Sequence, residues 1–274
     1  MAKKIALDAG HGLRTAGKQT PDGIKEWTLN DKVRDRVLVI LNDYDVDIIC
    51  TDNNEGETDE ALAARLSAYM TADVDAFVSI HHNANTGTWN SATGVSVYTD
   101  RSYTAQDEAL ANAIYTRMVA NTGLKGRGIN RGNFVVINQN QIPAVLCEGG
   151  FMDGTNDYKY ITTAAGQQAY AKAVAEGLIE FLGLQKKQVT QQTASGDLYR
   201  VQTGAFRNKA NAVKRYNAVK AAGFPVYMIL ASGLYKVQIG AYSKKGNADK
   251  MAAKLKAAGF DVYITTKGGT GVPV

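Results

Sequence analysis

The run Lys4-Ile5-Ala6-Leu7-Asp8-Ala9, closed by Gly10-His11-Gly12, constrains this chain more than any other stretch. Its apolar residues do not alternate with polar ones. The strand they form has to be covered on both faces, as in a parallel α/β sheet. Two glycines then bracket a histidine where strand becomes loop, the edge at which open α/β sheets place ligands. Only three histidines occur in the sequence. The other two, His81 and His82, also end a short apolar strand, Ala76-Phe77-Val78-Ser79-Ile80. Histidines at two strand ends can converge on one metal ion with a carboxylate completing the set, or each can simply cap a loop. No compact HExxH or CxxC pattern decides between these readings.

Between and beyond these strands, strand and helix signals alternate. A polar loop with the turn signal Pro21-Asp22-Gly23 precedes Glu26. An amphipathic helix then carries Leu29, Val33, Val37, Ile40 and Leu41 on one stripe. Glu26 therefore lies near a helix N-terminus, where a carboxylate is favoured without any metal. A second strand is predicted over 46–50, and Thr58 is expected to cap a helix with Leu62, Leu66 and Tyr69. Further on come a strand at 94–99 and a helix at 105–121. A basic, glycine-rich loop over 123–133 and a strand over 134–137 follow. The run Pro143-Ala144-Val145-Leu146-Cys147 then enters Glu148, Gly149 and Gly150. A glutamate ending a buried strand is costly unless paired, here with Arg127 or Arg131, or working. A helix over 164–182 closes the region. Such alternation predicts a sheet with helices on both faces.

At 274 residues the chain has room for two domains. No apolar run approaches bilayer-spanning length, and no hydrophobic signal core precedes the first strand, so synthesis in the cytoplasm is expected. Cys50 and Cys147 read as buried free thiols. Charge is unevenly shared. Residues 185–274 hold 15 Lys and Arg against 3 Asp and Glu, a net +12, which leaves −7 on the rest. The tail is thus suited to an anionic surrounding.

That basic tail contains a duplication. Tyr199-Arg200-Val201-Gln202-Thr203-Gly204-Ala205-Phe206 matches Tyr235-Lys236-Val237-Gln238-Ile239-Gly240-Ala241-Tyr242, and the run 220–224 matches 256–260 at the same spacing of 36 residues. A fixed offset marks tandem structural units. Each reads strand, helix, strand, and the pair is expected to make one four-stranded sheet with two helices on one side. Alternation assigns Val201 and Val237 to the helix-packed face and Gln202 and Gln238 to the open one. The resulting division is 1–184, a linker over 185–197, a second domain over 198–268 and a tail over 269–274.

Taken together, Asp8-Ala9-Gly10-His11-Gly12, Glu26, Ser79-Ile80-His81-His82-Asn83-Ala84 and Glu148-Gly149-Gly150-Phe151 resemble the pattern of the zinc-dependent N-acetylmuramoyl-L-alanine amidases of type 3. The resemblance spans about residues 3–183 and implies a mixed α/β sheet. It also implies one zinc ion on His11, Glu26 and His81, with Glu148 as catalytic carboxylate and His82 outside the ligand set. Asn83 and Arg131 are candidate substrate contacts. The duplicated tail resembles a SPOR domain, a βαββαβ module that binds peptidoglycan glycan strands; Gln202, Gln238, Phe206 and Tyr242 are its candidate glycan contacts. The expected partner is bacterial peptidoglycan, with no nucleic acid or membrane. The implied reaction is cleavage between the lactyl group of muramic acid and L-alanine. The long loop from His11 to Glu26 resembles phage-type members, which implies an endolysin released to the wall through a holin. A sporulation amidase acting in mother-cell lysis, a zinc peptidase cutting within the stem peptide and a non-catalytic wall-binding protein are the alternatives.

Overall fold

The computed structural model describes residues 3–53, 56–187, 198–222 and 224–272. The chain divides into two compact units, residues 1–188 and 189–274, each with its own sheet. No helix among the described residues is long and apolar enough to cross a membrane.

In the first unit the apolar runs become strands β1 (Lys3–Ala9), β2 (Val46–Cys50), β3 (Ala76–Asn83), β4 (Val95–Asp100), β5 (Gly126–Gly132) and β6 (Ala144–Phe151). The sheet order is β2-β1-β3-β6-β4-β5. The first four of these run parallel, β4 is antiparallel to β6, and β5 is parallel to β4. Helices α1 (Glu26–Leu41), α2 (Leu62–Ala72), α3 (Ala105–Thr122), α4 (Thr155–Ile161) and α5 (Ala164–Leu182) fill the connections. Ile5, Leu7, Val78, Ile80, Val145 and Cys147 share one core with residues of α1, α3 and α5. Ala6, Phe77, Ala144 and Leu146 pack in a second core with Tyr69 of α2 and with Val136 and Ile137. Both faces are therefore covered, as the unbroken apolar runs require. Because β1, β3 and β6 are parallel, their C-terminal ends open on one edge. That edge carries His11, His81 and Glu148.

Four local expectations need correction. Residues 126–132 of the expected basic loop form β5, held by ladder bonds to β4 that do not depend on side-chain type. The expected strand over 134–137 is a 3-10 turn, Val135–Ile137, which packs against α2. Thr58 does not cap α2; Ala61 holds the N-cap position and makes no side-chain bond. Residues 185–187 are not a free linker. The Asp45 N–H donates to Gln185 O, and the Lys187 N–H to Asp43 O, stitching them to the turn between α1 and β2. The rest of the expected linker, 188–197, lies outside the described residues.

The second unit runs β7 (Tyr199–Phe206), α6 (Lys209–Ala221), β8 (Tyr227–Ala231), β9 (Leu234–Tyr242), α7 (Lys245–Ala257), β10 (Tyr263–Thr265) and β11 (Thr270–Val272). All its pairings are antiparallel, in the order β10-β7-β9-β8-β11. The first strands of the two repeats pair at the centre, so the repeats interleave into a βαββαβ fold. Val201, Val237 and Met228 pack against Ala212 and Val219 of α6 and Ala248 and Leu255 of α7. The sheet has five strands rather than four, because residues 270–272, expected as a tail, extend it beside β8.

Candidate metal centre and cleft

Strand ends and one helix start build the site. His11 follows β1 in a left-handed conformation, φ 68°. Its carbonyl accepts a bond of 2.8 Å from Arg65 of α2. The same guanidinium donates to Asp8 Oδ1 at 2.6 Å and Ala9 O at 2.9 Å, and both Arg65 and Asp8 are about 1% exposed. Asp8 also accepts from Thr51 and Ser79 hydroxyls. Arg34 of α1 pairs with buried Asp52, whose carboxylate accepts the Ala9 N–H. Two buried arginines thus fix the end of β1. Gly10 is required by close approach, since a Cβ there would stand 2.0 Å from the His81 ring.

Glu26 opens α1 and is buried. Its two oxygens bridge the histidines: Oε1 lies 3.0 Å from His81 Nδ1 and Oε2 3.2 Å from His11 Nε2. Burial alone would raise this carboxyl, but the bonds from both imidazoles outweigh it and hold Glu26 well below the ordinary range. His11, Glu26 and His81 each offer a ligand atom, and those atoms lie within 4.8 Å of one another. Two imidazoles and an ionised carboxylate, converging and largely shielded from water, are a donor set that fits a zinc ion.

His82, the next residue, turns away from this set. It is buried, its Nδ1 is 2.8 Å from Asn30 Oδ1, and burial lowers its pKa to about 4, so the ring is neutral. Asn30 in turn donates to Gly10 O.

Glu148 stands opposite His81 in the β3–β6 register. Burial pushes its carboxyl up to about 8, with the Glu26 charge adding to the shift and His81 opposing it. Its Oε2 is buried with no hydrogen-bond partner among the described residues. Neither arginine considered for it is there. Arg131 lies over the Tyr103 ring and 3.6 Å from Glu108, while Arg127 lies over Phe151. Tyr170 of α5 locks the two strands at this level by donating to Cys147 O at 2.9 Å, and its ring occupies the space a Cβ on Gly149 would need. His11, Glu26, His81 and Glu148 line one cleft of about 580 Å³, together with Asn83, Lys18, Leu62 and Met152. Asn83 is therefore at the site. Arg131 does not line the cleft; the strand β5 that carries it lies at the far edge of the sheet.

In the second unit the amides expected to be open are spent. Tyr263, Gln202, Gln238 and Tyr227 sit opposite one another across β10, β7, β9 and β8. Gln202 donates to Gln238 at 2.8 Å and accepts from the Tyr263 hydroxyl at 2.6 Å, and Gln238 donates to the Tyr227 hydroxyl. Both glutamines are buried, whereas Tyr227 and Tyr263 are exposed. Alternation set the face correctly, but it could not show that tyrosines on the neighbouring strands would cover it. Phe206 and Tyr242 are half-buried against the core of the unit, and Phe206 lines a hollow beside α6 with Arg215 and Phe260.

A hydrolase built on a mixed α/β sheet, with a candidate metal centre and one buried carboxylate at the strand ends, is the class that fold and cleft define. The chain belongs to the N-acetylmuramoyl-L-alanine amidase family, whose model matches residues 5–180. The SPOR domain model matches residues 231–273, the later of the two repeats. The sporulation-specific N-acetylmuramoyl-L-alanine amidase of Bacillus subtilis (strain 168) is 35% identical over 229 residues, covering 83% of this chain and 84% of that protein. An endolysin of Bacillus phage SPP1 is 33% identical over 190 residues, 68% of this chain and 69% of that one. Among solved structures, the catalytic domain of CwlV, an N-acetylmuramoyl-L-alanine amidase from Bacillus (Paenibacillus) polymyxa var. colistinus, matches with a TM-score of 0.61 at 29% identity. That match covers 67% of this chain and 99% of that one.

Proposed function

We propose that the first unit hydrolyses the amide bond between the lactyl group of N-acetylmuramic acid and the L-alanine that opens the peptidoglycan stem peptide. The observation that carries this reading is the convergence of His11, Glu26 and His81 beside Glu148, whose Oε2 is buried and has no hydrogen-bond partner among the described residues. Those three side chains would hold one zinc ion per chain. When bound, zinc supplies Lewis acidity, acidifying a water and polarising the carbonyl under attack. Glu148 takes a proton from the attacking water and passes it to the alanine nitrogen as the C–N bond breaks. The lactyl group stays on the sugar and ends as a carboxylate, and the peptide leaves as a free amine. Burial raises the Glu148 carboxyl, and a cation held beside it favours the ionised form that a base needs. Asn83, in the cleft wall, is the candidate contact for the stem peptide.

The second unit is proposed to bind peptidoglycan and concentrate the hydrolase on the wall. The exposed Tyr227 and Tyr263 rings flanking the buried glutamine pair support this reading. As to setting, the match to the sporulation-specific amidase is longer than the first unit and covers most of both proteins, whereas the endolysin match covers about two thirds of each. That difference favours lysis of a sporulating mother cell over release through a phage holin. Digestion of purified peptidoglycan followed by end-group analysis tests the reaction. New amino-terminal L-alanine supports it, while amines exposed only within the stem would indicate a peptidase instead.

A further inference from the structure

An aromatic pair on the segments that leave the strand ends of the cleft serves neither the core nor the proton chemistry. Trp89 is 45% exposed. Its ring meets that of Tyr158 edge-on, centroids 4.8 Å apart at 76°. Tyr158 donates its hydroxyl to Asp22 at 2.5 Å.

The loop presenting Trp89 is tied down from within. The Asp153 carboxylate accepts the N–H groups of Asn85, Thr86 and Gly87. The Asn90 N–H donates to Asp153 O, and the Thr155 N–H donates back to Asn90 O. An exposed tryptophan on a fixed loop gives up little conformational freedom on binding, which is what a binding anchor requires.

Position ties the pair to the cleft. Three segments leave the C-terminal ends of β1, β3 and β6. The first gives Lys18 to the cleft and Asp22 to the platform. The second gives Asn83 and then Trp89, and the third Met152 and then Tyr158. The rings therefore stand on segments that each begin at the cleft, Tyr158 on α4, outside the cleft lining itself. Thr86 and Thr88, exposed on the same loop as Trp89, hold their hydroxyls 3.2 Å apart, and the Asp22 carboxylate meets the Tyr158 hydroxyl. Aromatic faces with hydroxyl and carboxylate groups on the same segments match a pyranose, which is apolar on its faces and polar at its edge.

We infer that Trp89 and Tyr158 form a saccharide subsite that stacks a sugar of the glycan strand while the scissile amide lies in the cleft. The inference rests on the amidase reading, so the test separates the two. The chain has two tryptophans, both in the first unit, and Trp27 is buried. Tryptophan emission of the full chain therefore reports on Trp89 even where the second unit also binds glycan. Titration with a peptide-free N-acetylglucosamine oligosaccharide should change that emission in the unsubstituted chain and leave it unchanged in Trp89→Phe. In turnover, Trp89→Ala should lower kcat/KM about tenfold on stem peptides carried by glycan chains, through KM, and leave a muramoyl-peptide without neighbouring sugars unaffected. Trp89→Tyr should restore most of the loss. Equal losses on both substrates, no loss on either, or emission insensitive to the oligosaccharide would overturn the subsite. Emission that follows protein concentration instead would assign the patch to self-association and overturn it too. If the unsubstituted chain turns over neither substrate, the amidase reading fails, while the titration still decides the subsite.

Discussion

Replacing Arg65 with Met should show how much the site depends on a buried residue that does not line the cleft. Arg65 is fully enclosed and donates to the Asp8 carboxylate and to the Ala9 and His11 carbonyls, with a further bond to Glu60 O. Breaking a buried ion pair from one side costs about 3–5 kcal/mol, because the partner charge is left stranded. Asp8 keeps bonds of 2.9 and 2.7 Å from Thr51 and Ser79, so the lower end, about 3 kcal/mol, is expected. Out of a total stability of about 5–15 kcal/mol this is a large share, yet the unit should still fold. Urea unfolding followed by tryptophan emission measures it cleanly, since both tryptophans lie in the first unit. The stranded carboxylate makes a second forecast: Asp8→Asn should cost less in the Arg65→Met background than alone. His11, no longer held through its carbonyl, should also bind metal more weakly. A loss under about 1 kcal/mol, the scale of an exposed pair, or equal Asp8→Asn costs in both backgrounds, would refute the clamp.

Gly10→Ala should abolish metal binding and activity, because the new Cβ would stand 2.0 Å from the His81 ring; metal analysis and turnover check it. Gln202→Leu should destabilise the second unit by about 1–3 kcal/mol by orphaning the Gln238 amide and the Tyr263 hydroxyl, read by hydrogen exchange in β7 and β9. His82, depressed to about 4 in the fold against an ordinary 6.5, binds its proton more readily when unfolded. Its contribution to stability is therefore present above pH 6.5 and lost as pH falls toward about 4, with a slope of up to about 1.4 kcal/mol per pH unit. Urea titrations across that window, compared with His82→Gln, test the sign.

The parallel core was legible because β1, β3 and β6 are mostly apolar runs without alternation, and a buried strand has few other ways to be written. His11, His81 and Glu148 were legible as strand-end groups on one edge, whereas Glu26, at a helix start, was joined to them only through the resemblance of the four motifs to the type 3 amidases. By contrast, β5 is written Gly-Arg-Gly-Ile-Asn-Arg-Gly and lies at a sheet edge. Its strand character comes from ladder bonds to β4, which leave no mark in side-chain pattern. Arg34 and Arg65 went unseen because a helix arginine reads as solvated until a buried aspartate on another element is known to face it. A signal did exist: Asp8 inside an otherwise apolar strand called for a cation. The glutamines of the second unit show the same limit. Period-two alternation gives the face, but what covers that face depends on strand order, which places Tyr227 and Tyr263 beside them.

The central claim is a division of labour between three ligands and one base, and Glu148→Gln tests it most directly. The amide is nearly isosteric with the carboxylate but cannot accept the proton. Zinc content and release of amino-terminal L-alanine from peptidoglycan should be measured on the same purified samples of the unsubstituted and substituted chains. The account predicts one zinc per chain in both, with alanine release reduced at least a hundredfold in Glu148→Gln (about 10²–10⁴ for loss of a general base). Loss of zinc from Glu148→Gln, or undiminished release without Glu148, would contradict it.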